Sequence, residues 1–203
     1  MPSTSDSTRQ ERVLAAALEV FGRYGFRKAS MDEIARAADI SRQGLYLHFA
    51  NKEALFRAAV RQELDTALGD ASHCLNEEGV GLERRTVAAL DAWLGRYVGT
   101  MLASEIGNQR QNPAMRLGDM VDPASAAFDA RLAAAIAAAM SENDRRRLGV
   151  TPEEIAGALH TVATGAKYLC NARADSREEF VARVTAAVRV VFAGFGTTAK
   201  RTP

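Results

Sequence analysis

Apolar residues recur at helical spacing along nearly the whole chain, and no stretch alternates cleanly enough to argue for a strand. Val13, Ala17, Val20, Phe21 and Tyr24, widened by Leu14 and Leu18, form a first stripe. They predict a helix over residues 8–24, ended by Gly25 as a C-cap and preceded by a disordered tail over 1–7. Ser30 stands three residues before Glu33, the spacing of a capping box, and Met31, Ile34, Ala35 and Ala38 give the following short helix one apolar face. Asp39 tolerates left-handed backbone and stops it. Ser41 caps a second short helix, Arg42 to His48, with Leu45 and Phe49 one turn apart as its anchors. From Asn51 a long helix runs to about residue 74, because Leu55, Ala58, Ala59, Gln62 and Thr66 continue its spacing without a break.

A polar loop over 76–81 follows, then a helix over 82–104 marked by Val87, Leu90, Leu94, Val98, Met101 and Leu102. Residues 107–122, interrupted by Gly, Asn and Pro113, carry no clear element. Pro123 is expected to start a helix reaching about residue 140, and 141–150 reads as a charged loop. Thr151, Pro152 and Glu154 supply a capping box with proline in the first turn, opening a helix to about residue 172. Ser176 and Glu179 start the last helix, which ends near Gly194. The expectation is an all-α chain of about nine helices.

Two short helices joined by a tight turn fit a helix-turn-helix, in which the second helix enters the DNA major groove. The second helix is too short to bury Arg42, Gln43, Gly44, Tyr46, Leu47 and His48 together, so these form its outward face. Arg can fork onto guanine, Gln can pair with adenine, and Tyr and Lys suit phosphates. Arg27, Lys28, Ser30 and Lys52 flank that face and complete the candidate DNA-binding set.

The first 60 residues closely resemble the tetracycline-repressor-like (TetR) transcription regulators. The resemblance rests on Val13, Leu14, Ala17 and Phe21, then Gly25, then Ser30, Ile34, Ala35, Ala38, Ser41, Leu45, Tyr46, Phe49, Lys52, Glu53 and Leu55, in order and at fixed spacing. Three positions depart from the family pattern. Asp39 stands where Gly is usual, Gln43 where a small residue is frequent, and Gly44 where Thr, Ser or Ala is usual. The last two lie on the reading face. The resemblance implies an N-terminal three-helix DNA-binding domain (residues 1–52) joined by a continuous helix to a helical effector-binding and dimerisation domain (residues 53–203). It also implies repression of a palindromic operator by a dimer, with release by a small molecule.

Net charge is only +1, but it is unevenly placed. Residues 1–62 hold ten Lys/Arg against seven Asp/Glu, a net of +3, and residues 63–203 hold sixteen against eighteen, a net of −2. The basic excess therefore coincides with the helix-turn-helix. The longest apolar run, 132–140, is far short of the roughly 20 residues a membrane span needs, and the polar N-terminus lacks the apolar core of a signal peptide, so a cytoplasmic protein is expected. Cys74 and Cys170 make no disulfide framework, and no metal-ligand spacing joins His48, His73 and His160. With no phosphate-binding glycine loop and no nucleophile elbow either, an enzyme is disfavoured and no cofactor is expected. An adaptor binding only proteins has no need of Arg42, Gln43, Tyr46 and Lys52 on one face.

The C-terminal half offers two further candidates. Its last two helices carry the stripes Ile155, Leu159, Val162, Ala166 and Leu169, and Val184, Val188, Val191 and Phe195. These serve either one core or, as the resemblance implies, a four-helix bundle with a second subunit. Trp93, Tyr97, Met101, Met115, Met120, Phe128 and Tyr168 are large, adaptable side chains near the irregular middle segment. Each reads as core when taken singly; as a set they agree with the small-molecule effector pocket that the resemblance implies. Arg110, Arg116 and His160 are its polar candidates.

Overall fold

The computed structural model describes residues 4–100, 102, 106 and 117–194. Among these residues there is no strand. The helices are α1 (Thr4–Lys28), α2 (Met31–Ala37), α3 (Arg42–His48), α4 (Lys52–Leu75), α5 (Leu82–Trp93), α6 (Gly118–Ala139), α7 (Glu142–Leu148), α8 (Pro152–Arg173) and α9 (Arg177–Phe192), with a 3-10 turn at Gly95–Tyr97. The all-α architecture is the one the periodicity predicts. Two compact units emerge, one from residues 1–66 and 100–123, the other from 67–99 and 124–203. The unbroken α4 contributes to both.

The first unit closes around aromatic rings. Phe21 of α1 and Phe56 of α4 are fully buried and meet edge to face at 4.9 Å, and Phe26 completes the cluster at 5.8 and 5.2 Å from them. Ile34, Leu45 and Leu55 join this core with no exposed surface, so α2 and α3 are each pinned by a central aliphatic residue. Gly25, at φ +76°, breaks the helical path one turn before the end of α1. α1 also starts at Thr4, within the stretch predicted as a tail, and Tyr24, predicted in the buried stripe, is 42% exposed.

In the second unit, α9 packs along α8 and against α5. Its core draws Leu90 and Trp93 from α5, Phe128, Leu132 and Ile136 from α6, Ile155, Leu159 and Ala163 from α8, and Phe180, Val184 and Val188 from α9. Three elements differ from expectation. The helix predicted over 82–104 stops at Trp93 and passes into the 3-10 turn at Gly95–Tyr97, where a Cβ at position 95 would collide with the Asp91 carboxylate and the Phe180 ring, so only glycine fits. Arg177 clamps that same carboxylate with two bonds of 2.8 and 2.9 Å. α6 starts at Gly118, with Pro123 inside it rather than at its head; proline there forgoes one backbone bond, which an otherwise alanine-rich helix tolerates. The stretch 141–150, predicted as a loop, contains α7. Ser141 caps it, with Asp144 N–H donating to Ser141 Oγ at 3.1 Å, and Gly149 ends it in the left-handed region at φ +63°.

Candidate functional site

The reading head is built from local signals. Ser30 N–H donates to Glu33 Oε2 at 2.9 Å, and Glu33 N–H returns a bond to Ser30 Oγ at 3.2 Å. The Ser30 hydroxyl also donates to Glu33 Oε2 at 2.8 Å, and these bonds hold the Glu33 carboxyl below its usual range. Asp39 takes φ +53°, and the chain turns in two residues to Ser41, whose Oγ accepts from Gly44 N–H at 3.0 Å. A Cβ at position 44 would lie only 3.1 Å from that oxygen, so Gly44 lets the cap close tightly. Leu45 and Phe49 are buried and seat α3 as predicted.

What α3 leaves outside is a face of Arg42, Gln43, Tyr46, Leu47 and His48, all exposed, with Gly44 half-buried beside them. Leu47, a large apolar side chain, is 79% exposed. Arg27 and Lys28, also exposed, stand in the last turn of α1. Ser30 is different, because its hydroxyl is already engaged twice in the cap.

Two contacts on this face are invisible in the sequence. Arg42 does not project freely. Its Nη1 donates to Asp32 Oδ2 and its Nε faces Oδ1, both at 3.2 Å, and its guanidinium lies 5.6 Å from the Tyr46 ring. Asp32 on α2 thus orients the one arginine of the reading helix. Lys52 Nζ donates to the carbonyls of Ala29 at 3.0 Å and Arg27 at 3.3 Å, and sits 4.6 Å from the Phe26 ring centroid. Two of its three N–H groups tie the start of α4 to the α1–α2 junction, which leaves one over.

The predicted sensor residues divide. Trp93, Tyr97 and Phe128 are buried in the second unit, where the Trp93 and Phe128 rings stack at 5.2 Å. His160, one of the polar candidates, closes the group. Trp93 Nε1–H donates to its Nε2 at 3.3 Å, so its Nδ1 carries the hydrogen that goes to Asp129 Oδ1 at 2.7 Å. Lys167 Nζ lies 5.9 Å from the Tyr97 ring, and burial pushes its ammonium below the usual lysine range. Tyr168, by contrast, is 74% exposed and faces away from any core, and Met120, although buried, belongs to the first unit. Met101, Met115, Arg110 and Arg116 lie outside the described residues.

The predicted interface residues divide too. Ile155, Leu159, Ala166, Val184 and Val188 are buried in the chain's own core, where α8 meets α9, and Val191 is half-buried. Val162 and Leu169 are exposed, while Phe195 lies outside the described residues. With Ala158, Thr161, Gly165 and Tyr168, the exposed pair makes a second, outward stripe on α8 at spacings of three and four. Val190, 76% exposed, stands on α9.

Comparison with known proteins agrees with this geometry. Residues 13–59 match the family of bacterial regulatory proteins, tetR family. The HTH-type transcriptional regulators RutR and UidR of Escherichia coli are 38% identical over 63 residues and 43% identical over 68. The matched segments span only 30% and 34% of those relatives' lengths, and 31% and 34% of this chain. Among solved structures, a chain from Mesorhizobium loti assigned to the TetR-family regulators superposes with a TM-score of 0.73 at 20% identity, over 96% of this chain and 100% of its own. Salmonella enterica GusR gives 0.63 at 25% identity, over 92% and 96%. The whole described fold is therefore that of these solved structures, and the sequence likeness to the tetR-family regulatory proteins is concentrated in residues 13–59.

Proposed function

We propose that this regulator is a repressor that binds a palindromic operator as a homodimer and is released by a small molecule. The observation that carries the reading is the face of α3: a helix of seven residues, seated by Leu45 and Phe49, that leaves Arg42, Gln43, Tyr46, Leu47 and His48 to solvent. Gln43 and Arg42 serve as base readers, Leu47 meets thymine methyl groups, and Arg27, Lys28, Tyr46 and the free N–H of Lys52 hold phosphates. The outward stripe of α8 supports the dimer, because Val162, Leu169 and Tyr168 form an apolar surface that water would otherwise cover. The aromatic group around Trp93 supports an apolar or aromatic effector, with His160 and Lys167 as its polar contacts. No helix of the described residues is long and apolar enough to cross a membrane, which suits a cytoplasmic regulator.

The test is selection of genomic DNA fragments on the pure protein, followed by footprinting. The expected site has two-fold symmetry, with half-sites about one helical turn or a multiple apart. Gln43→Ala should then cost roughly 1–3 kcal/mol and relax preference at one position of each half-site. Footprints without symmetry, or a monomer by sedimentation at micromolar concentration, would refute the dimeric reading.

A further inference from the structure

The second unit holds a cavity of about 360 Å³ between the end of α4, the start of α5 and the C-terminal half of α6. Its polar edge comes from Ser72 and Asn76, and among the described residues its only ionisable lining residues are Arg85 and Arg131. The other wall is a ridge of α6 made of Ala134, Ala135, Ala138 and Ala139, residues that share one helical face. Arg85 is half-buried and Arg131 exposed, and two cations beside an apolar ridge with no acid among the described lining residues are an uncommon combination, since a half-buried arginine ordinarily finds a carboxylate.

These two do not. The ion pairs among the described residues of this unit employ Arg96, Arg146, Arg147, Arg177, Arg183 and Arg189. Arg85 and Arg131 bind backbone instead. Arg85 Nη1 donates to the Leu75 carbonyl at 2.7 Å, and Arg131 Nη1 donates to the Leu68 carbonyl at 3.0 Å and to Ser72 Oγ. The Arg85 bond satisfies a carbonyl at the end of α4 and the Arg131 bonds hold to its body, which fixes both side chains in place, yet together they use few of the ten N–H groups two guanidiniums carry. Arg85 Nε is buried and has no hydrogen-bond partner at all. A buried donor left unpaired is costly, and a small turn of the guanidinium toward an oxyanion in the cavity would relieve it.

We propose that this cavity binds a small organic carboxylate, its oxygens held by Arg85 and Arg131 and its apolar body laid along the alanine ridge. The arginine fork matches a carboxylate with two parallel bonds, which an ammonium group cannot do. The volume lies at the lower end of small-molecule sites and admits a body of a few carbon atoms beyond the carboxylate. The ridge favours such a body over a bare inorganic ion, which would leave the alanines with nothing to cover them. The site is separate from the Trp93–Phe128–His160 group, shares no residue with the reading head, and does not depend on how the head treats DNA.

Calorimetric titration of the full chain at low salt, with hexanoate, hexanol and inorganic phosphate as probes, tests this. Hexanoate is expected to bind, and hexanol and phosphate each to bind about tenfold more weakly or not at all, because each lacks one half of the recognition. Arg131→Gln should weaken hexanoate by about tenfold, the worth of one charge-assisted pair. Because that arginine also ties α6 to α4, the decisive variant is Ala138→Glu, on the exposed side of α6, which keeps both arginines and offers them an internal carboxylate. It should abolish hexanoate binding, whereas Ala138→Ser should retain it. No hexanoate binding by the unaltered protein, or equal binding by Ala138→Glu and Ala138→Ser, overturns the proposal. Phosphate binding as tightly as hexanoate overturns the assignment to a carboxylate with an apolar body and makes the site one for free phosphate.

Discussion

Lys52→Met separates two roles that the sequence merges. As a phosphate clamp alone, Lys52 would matter only when DNA is present. Its ammonium is instead bonded to the Ala29 and Arg27 carbonyls and lies over Phe26, so its loss should be felt in the free protein. A bond from a charged donor is worth about 1.5–3 kcal/mol, and that figure applies to the part-buried Ala29 carbonyl. The exposed Arg27 carbonyl can turn to water and adds little. The cation–π contact adds about 0.5–1 kcal/mol. Methionine keeps the apolar stem against Phe26, so the predicted loss is about 2–3 kcal/mol, read as a shift of the urea midpoint without DNA. On DNA, the one remaining N–H predicts that affinity falls for all sequences alike and the salt slope drops by about one per head. A variant as stable as the parent to within about 0.5 kcal/mol that still binds DNA poorly would show that the strut is idle and the clamp is all there is.

Asp32→Asn should leave stability within about 1 kcal/mol, since the Arg42 pair is more than half exposed on both sides, but relax base preference at one position of each half-site across an operator panel. Lys167→Met should raise the unfolding midpoint at pH 7. Burial lowers the folded-state pKa of Lys167, so between that value and the ordinary 10.5 the unfolded chain holds more protons and the parent gains stability as pH rises; the advantage of the variant must shrink over that window. Leu159→Ala should cost about 2–5 kcal/mol of fold stability. Leu169→Glu, at an exposed position, should spare the fold and yield monomers by sedimentation.

The head was legible because what shapes it is local. A hydroxyl and a carboxylate three residues apart, a short side chain at a left-handed turn and one aliphatic anchor per short helix are all patterns within a few positions. The contacts that orient its polar groups were not legible, because Arg42 finds Asp32 ten residues away and Lys52 reaches back more than twenty. In the second unit, periodicity picked out the more apolar face of α8, and that face is the one a chain buries in itself. The outward stripe, diluted by Ala158, Thr161 and Gly165, is the weaker signal: its Val162 and Leu169 are picked out only together with the buried face, and Tyr168 is assigned to the pocket. Counting large side chains likewise gathered Tyr168 and Met120 with Trp93 and Phe128, since composition carries no information about which face of a helix is covered. α7 was legible but overlooked: Ser141, Asp144 and Gly149 are a start and a stop at proper spacing, masked by the run of three arginines between them.

The proposed release by a ligand carries a thermodynamic constraint that can be tested before the ligand is known in detail. A molecule loosens DNA only if it binds better to the conformation that fits the operator poorly. A 100-fold effect on operator affinity needs a coupling of about 2.7 kcal/mol, within reach of one buried aromatic contact. A molecule entering beside Trp93 has to part its stack with Phe128 or take its hydrogen bond to His160, and either change alters the indole's surroundings. The expected outcome is therefore a shift or quenching of Trp93 fluorescence that runs parallel to loss of DNA binding. Since Trp93 is the single tryptophan of the chain, the signal is unambiguous. Reciprocity then fixes the converse: saturating operator must weaken the same ligand by the same factor. A molecule that moves the Trp93 signal and binds equally well with and without operator is not the inducer. If every molecule that moves the signal behaves so, the aromatic group is core alone and the regulator holds its DNA without regard to it.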